Sequence, residues 1–161
     1  MPTALAERRS VSATLLLTAA PEAVFDLLTD VRRHSELDGS GMLLGAPVGP
    51  DRLKLGSEFS MAMRQGRRRY RSHSRVVEFE QDRLIAWETT GRWRGHRYVG
   101  GQRWRYRLTP ADGGTQVTQS YVWGYAMLPL LTVWLPGFPA RMRRALPQSL
   151  RLLEQGTAPP R

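Results

Sequence analysis

Three histidines and a set of phenols, indoles and amides carry the chemistry open to this chain, which has no cysteine. Without cysteine there is no thiolate nucleophile, no sulfur metal site and no disulfide-linked partner. His34, His73 and His96 stand too far apart in sequence for the close ligand pairs of a metal motif, so no metal is expected. The H-E-x-x-H, phosphate-loop, G-x-G-x-x-G and G-x-S-x-G signatures are absent, which argues against P-loop, Rossmann and serine-hydrolase roles and leaves no cofactor to expect. What remains is acid/base and hydrogen-bond chemistry. His34, with Asp38 beside it, is the best titratable candidate; the alternative is an ordinary exposed helix histidine. Tyr106 and Tyr121 can donate to a ligand oxygen or serve as amphipathic wall residues. Gln119 falls on the inward face of a predicted strand, where an unpaired amide costs about 1–3 kcal/mol, so it needs a neighbour, a water or a ligand.

These side chains must be positioned by the elements around them. Val11–Thr18 reads as a β-branched, apolar first strand. Pro21 suits the first position of a helix running to Asp30, with Val24, Leu28 and Val31 as its apolar stripe. Asp30 can end that helix and cap a shorter one, Val31–Leu37. Strands follow at Met42–Val48, Ser57–Gln65, Arg68–Gln81, Arg83–Thr90, Gly101–Pro110 and Gly114–Ala126, bounded by Gly, Pro or Asp. Asp112-Gly113-Gly114 is a hairpin signal, and strands without intervening helices point to an antiparallel sheet. A last amphipathic helix lies near Leu135–Gln155, with Phe138, Met142, Ala145, Leu146, Leu150 and Leu153 on one side and Pro147 kinking it.

Alternation separates the two faces of the sheet. Gln102, Trp104, Tyr106 and Leu108 share one face and Arg103, Arg105 and Arg107 the other. Burying an unpaired guanidinium costs several kcal/mol, so the arginine face is outside. By the same phase Phe59, Met61, Met63, Val117, Gln119, Tyr121 and Trp123 point inward. Along Arg68–Gln81 the phase slips near Val76-Val77, which predicts a bulge. The inward set is rich in Trp, Tyr, Met, Ser and Gln, and Ile85 is the chain's single isoleucine. Aromatic walls with a few polar groups suit a small-molecule pocket; the same groups can also simply fill a core.

At 161 residues, 41% apolar and 24% charged, the chain suits one globular domain. Residues 9–155 form that domain, with flexible tails at 1–8 and 156–161. Met1–Ser10 carries Glu7, Arg8 and Arg9 and no signal-peptide pattern, and Met127–Pro136 is too short to span a bilayer; a cytoplasmic location fits. Net charge is +10, and Lys54 is the single lysine. Arg67, Arg68, Arg69, Arg71, Arg75, Arg103, Arg105 and Arg107, with Arg92, Arg94 and Arg97, could form a phosphate-binding stripe. Glu58, Glu78, Glu80 and Glu88 share that face and can pair with them, and the aromatics point inward, so nucleic acid is not the expected partner. Leu128, Leu130, Leu131, Trp134 and Leu135 either pack over the start of the last helix or form a lid that touches a membrane transiently.

The segment Pro21-Glu22-Ala23-Val24-Phe25-Asp26-Leu27-Leu28-Thr29-Asp30 resembles the opening of the START-like (SRPBCC) superfamily, in particular its polyketide cyclase/dehydrase and lipid-transport group. Val76-Val77-Glu78-Phe79, followed by Arg83-Leu84-Ile85-Ala86-Trp87-Glu88, is similar to the mid-sheet hairpin of that group, and Met142–Glu154 to its closing helix. The resemblance implies an α+β helix-grip fold: a curved antiparallel sheet wrapped around a long C-terminal helix, with two short helices after the first strand and a hydrophobic cavity between. It also implies binding of a lipid, polyketide or aromatic metabolite as carrier or sensor, or else an aromatase/cyclase activity with His34, Tyr106 or Tyr121 as acid/base. A basic-surface adaptor for nucleic acid or membrane is the third reading. Met61, Met63, Trp87, Trp104, Tyr106, Gln119, Tyr121, Trp123, Met142 and Leu146 are the expected cavity lining.

Overall fold

Proline at the start of a helix loses no backbone bond, and Pro21 opens the first helix of the chain after Ala20, with Glu22 at the positive end of its dipole. The computed structural model describes residues 8–94 and 96–158, while the side chains at 92, 93 and 97–99 lie outside that description. Strand β1 (Ser10–Leu17) leads into α1 (Pro21–Thr29) and a 3-10 helix, Val31–Leu37. Strands β2 (Leu43–Val48), β3 (Glu58–Gln65), β4 (Arg68–Glu80), β5 (Leu84–Trp93), β6 (His96–Ala111) and β7 (Gly114–Val122) follow. A π-helical turn, Leu130–Trp134, then precedes α2 (Phe138–Thr157). Asp30 ends α1 and caps the 3-10 helix: its carboxylate accepts from Arg32 N at 3.1 Å and from Arg32 Nε at 2.9 Å. These bonds from Arg32 hold the Asp30 carboxyl below its ordinary pKa.

The seven strands form one antiparallel sheet in the order β1-β7-β6-β5-β4-β3-β2. The sequence places β1 beside the last strand because everything between α1 and β7 is a meander whose neighbours pair in turn. Asp112 and Gly113 make the two-residue turn of the β6–β7 hairpin, closing on the pair Ala111–Gly114. The expected bulge lies in β4, where the pairing with β5 shifts between Val76 and Glu78. It lets Val76 and Phe79 both face the core, Phe79 meeting Phe25 edge to face at 5.3 Å, while Glu78 turns outward to Arg105. This is the α+β helix-grip arrangement, a curved sheet with α2 laid against it and the short α1 and 3-10 segments after β1.

The core divides into two clusters. Phe25, Leu28, Phe59, Ile85 and Val117 build the first, and α2 contributes Leu150 and Leu153 to it. Val11, Tyr121, Trp123 and Val133 build the second, and the preceding turns of α2 contribute Met142, Ala145 and Leu146. Arg141, Arg143, Arg144 and Arg151 face solvent, as the stripe requires. The helix continues unbroken through the exposed Pro147. Its end at Thr157 is two residues beyond the expected domain boundary; residues 1–7 and 159–161 of the expected tails lie outside the described residues.

Three stretches differ from expectation by more than two residues. Strands β5 and β6 extend past Thr90 and before Gly101 into one long hairpin, because register shifts between Thr89 and Thr90 and between Gly91 and Arg92 absorb the glycines there. Gly100, at φ 108°, sits at the first shift, where a Cβ would collide with the Thr89 carbonyl and Thr90 Cα. Strand β7 ends at Val122 instead of Ala126, although Trp123 N–H still reaches Arg9 O at 2.9 Å. The approach to α2 is a turn clamped by Val133, which is buried, and it leaves Leu128, Leu130, Leu131, Trp134 and Leu135 exposed instead of packed over the helix start.

Candidate functional site

Between the two core clusters the sheet and helix do not close on each other, and a cavity of about 450 Å³ remains. Its floor is the inner face of β3 to β7: Phe59 and Met61, Ser72 and Ser74, Trp87 and Thr89, Trp104 and Tyr106, Gln119 and Tyr121. Alternation brings these side chains to one face, and antiparallel register puts Trp87 beside Trp104, and Tyr106 beside Gln119. The roof comes from Leu28 of α1, His34 and Leu37 of the 3-10 helix, the Asp38–Leu43 loop, and Ser149 of α2. Exposed Arg68 and Tyr70 on β4 and half-buried Phe138 at the start of α2 also line the space, and so mark its rim.

The roof loop is tied down on both sides. Asp38 accepts from Ser40 N at 2.9 Å, Ser40 Oγ at 2.6 Å and Leu43 N at 2.8 Å, so its carboxylate holds the loop. Gly39 N–H donates to Ser149 Oγ at 2.9 Å, and a Cβ at Gly39 would run into the backbone of α2 at Ala145 and Ser149. A glycine is what allows the loop to lie flat on the helix.

His34 is buried. Its Nε2–H donates to the Leu28 carbonyl at 2.7 Å, and its ring stacks on Trp87 at 4.9 Å with Phe59 edge-on at 5.7 Å. The reading as an exposed helix histidine is thereby corrected: the 3-10 turn rolls the ring under the loop and onto the sheet. Burial lowers its pKa, outweighing the Leu28 carbonyl and Asp30, which both favour the charged form. The ring is therefore neutral at pH 7, with Nε2 protonated and its free lone pair on Nδ1.

Tyr106 is buried among Trp87, Trp104 and Gln119, and burial raises its phenol pKa well above the ordinary value, with Asp38 adding to the rise and Gln119 opposing it. Tyr121 is raised for the same first reason, desolvation. Both phenols are neutral hydrogen-bond groups at physiological pH and not phenolate bases. Gln119, only 2% exposed, donates from Nε2 to Tyr106 Oη at 2.6 Å, while its Oε1 is buried with no partner. Exchanging the two ends of the amide would move the vacancy to the nitrogen and not remove it. A side chain lining an aromatic cavity thus holds one unsatisfied polar end.

Of the ten residues expected to line a pocket, Met61, Met63, Trp87, Trp104, Tyr106, Gln119 and Tyr121 are brought together around this cavity. Trp123, Met142 and Leu146 are placed elsewhere: they pack on one another in the second core cluster, where β7 leaves the sheet and α2 closes onto it. Trp123 Nε1 is buried there without a partner. The sequence reasoning did not assign the roof residues Leu37, Met42, Ser40 and Ser149 to the site. Ser149 carried a usable signal, being a polar residue on the otherwise apolar stripe of α2. Among the described residues no three His, Cys, Asp or Glu side chains gather as a metal site would need.

On the outer face Arg103 and Arg105 are paired with carboxylates. Arg103 Nε meets Glu88 Oε2 at 3.0 Å, and Arg105 Nη2 meets Glu78 Oε2 at 3.0 Å, across adjacent strands or through the bulge. The side chains of Arg92 and Arg97, part of the imagined phosphate stripe, lie outside the described residues.

A sheet that grips a C-terminal helix around an aromatic, partly polar hollow defines a cavity-bearing START-like domain. The chain belongs to the polyketide cyclase / dehydrase and lipid transport family, whose model matches residues 8–155. It is 38% identical over 105 residues to the uncharacterized protein Rv0088 of Mycobacterium tuberculosis, an alignment covering 64% of this chain and 43% of that one. The chain therefore spans less than half the length of that relative. In fold it is similar to protein NE0264 of Nitrosomonas europaea (TM-score 0.66, 14% identity, covering 96% of this chain and 95% of that one). It is also similar to Ms6760 of Mycobacterium smegmatis (TM-score 0.64, 16% identity, 93% and 94% covered). A third similar structure is the di-domain ARO/CYC StfQ of the steffimycin biosynthetic pathway (TM-score 0.64, 17% identity, 94% and 52% covered).

Proposed function

We propose that this protein binds a hydrophobic small molecule, a lipid, polyketide or aromatic metabolite, in the cavity between sheet and α2, as a carrier or sensor. The observation that carries the reading is the cavity itself: about 450 Å³ walled by Trp87, Trp104, Tyr106 and Tyr121, with Gln119 among them. That volume lies within the range of small-molecule sites, and an apolar wall with a few convergent polar groups is how such sites select. Met61 and Met63 adapt to ring or chain, while the indoles offer flat contact.

Aromatase/cyclase chemistry is the second reading, favoured by the fold shared with StfQ and by Tyr106, a neutral phenol able to donate to a substrate carbonyl. The carrier reading is preferred because Asp38 is spent on its loop and His34 Nε2 on Leu28. Titration with an apolar naphthalene-type fluorescent probe tests the cavity. Saturable 1:1 uptake, weakened about tenfold or more by Trp104→Ala, is the expected result for loss of a large aromatic wall. No saturable uptake, or equal uptake by parent and variant, would overturn it.

A further inference from the structure

Five large apolar side chains stand in solvent within the eight residues from Leu128 to Leu135, and they share one short element. In the π-turn the Leu135 N–H reaches Leu130 O at 2.9 Å, which places Leu130, Leu131, Trp134 and Leu135 on one side and Thr132 and Val133 on the other. Val133 is buried in the second core cluster, and Trp134 meets Trp123 edge to face at 5.9 Å. The turn is therefore anchored from beneath while Leu130 and Leu135 are 72% and 78% exposed. An exposed apolar group of this size marks a surface that something covers.

Charge and position say what covers it. The chain carries +10 overall, which opposes a second copy of itself and favours an anionic surface. The first turns of α2, directly after Leu135, expose Arg141, Arg143 and Arg144. Arg141 also reaches the rim of the cavity, with Nη1 3.7 Å from Met42 Sδ. Thr132, within the exposed run, and Pro136 and Phe138, just after it, line the cavity itself. No helix among the described residues is long and apolar enough to cross a membrane, so this element would lie in the interface and not span it.

We propose that the Leu128–Leu135 turn docks the protein on an anionic lipid bilayer, its leucines and Trp134 among the acyl chains and Arg141, Arg143 and Arg144 at the headgroups, so that the mouth of the cavity opens at the membrane surface. Such docking does not depend on what the cavity holds.

Co-sedimentation of the full chain with vesicles of phosphatidylcholine, with and without phosphatidylglycerol, tests it. The parent should bind the anionic vesicles and bind pure phosphatidylcholine far more weakly. Leu130→Glu/Leu135→Glu should weaken binding at least tenfold with its melting temperature unchanged, since both side chains are exposed. Arg143→Gln and Arg144→Gln should each weaken it about fivefold, the contribution of one basic group near such a surface. Brominated acyl chains should quench the parent's indole emission and leave Trp134→Phe largely unquenched. Equal binding by parent and Leu130→Glu/Leu135→Glu, or no binding to anionic vesicles, would overturn the proposal. So would a concentration-dependent dimer in light scattering that the double glutamate variant abolishes, which would assign the turn to a second copy of the chain. Probe uptake measured without vesicles reports on the cavity alone, so a failure of either proposal is visible separately.

Discussion

Replacing Gln119 by leucine should leave the stability of the empty protein nearly unchanged while crippling its binding. Gln119 makes one bond, Nε2 to Tyr106 Oη at 2.6 Å, and leaves Oε1 buried without a partner. Removing the bond costs about 0.5–1.5 kcal/mol, and removing the orphaned polar end returns about 1–3 kcal/mol. Leucine is close in volume, so little cavity term is added. The same change leaves the buried Tyr106 hydroxyl without its partner, so the gains and costs nearly cancel and the melting temperature should stay within about 2–4 °C of the parent. A ligand polar group that met the amide would then face a methyl group, lowering affinity by about five- to a hundredfold. Calorimetric melting without ligand, beside titration with a ligand co-purified from the native host, reads both quantities. A fall in melting temperature of more than about 5 °C would refute the reasoning, because it would mean that the amide is already fully satisfied in the empty protein.

Two further outcomes follow from the same geometry. His34 has a folded pKa below its ordinary 6.5, so the unfolded chain takes up its proton first on acidification. The associated stability is present above pH 6.5 and lost as pH falls below that value toward the folded pKa. Urea melts of the parent and His34→Gln across this range should show a shallower dependence in the variant; parallel curves would remove His34 as the cause. The half-buried Arg103–Glu88 pair should show a coupling of about 0.5–1 kcal/mol in a double-mutant cycle, shrinking as salt is raised.

The sheet was legible because alternation is unforgiving: Arg103, Arg105 and Arg107 could face only one way, and that fixed Trp104, Tyr106 and Leu108 on the other. The bulge was legible for the same reason, since Glu78 and Val76 could not share a phase. Elements set by distant contacts were less legible. The long β5–β6 hairpin hid behind glycines that serve register shifts instead of ending the strands. The burial of His34 depends on a stacking partner, Trp87, more than fifty positions away in the chain, and no local pattern announces it. Trp123, inward by strand phase, and Met142, on the apolar stripe of α2, lie where α2 closes down on the sheet and not around the cavity, a distinction that needs three dimensions. Ser149, the roof contact to Gly39, was visible only as a polar interruption in an apolar stripe.

Because α2 is fastened at two separate places, by Leu150 and Leu153 at one and by Met142, Ala145 and Leu146 at the other, the stretch of sheet between them need not prop it up. Residues such as Ser74 and Thr89, whose hydroxyls bond one another at 3.0 Å on the cavity floor, carry little of that load. Evolution could resize or repolarise the hollow by trading them one at a time, altering which guest is accepted while the surrounding shell goes on folding unaltered.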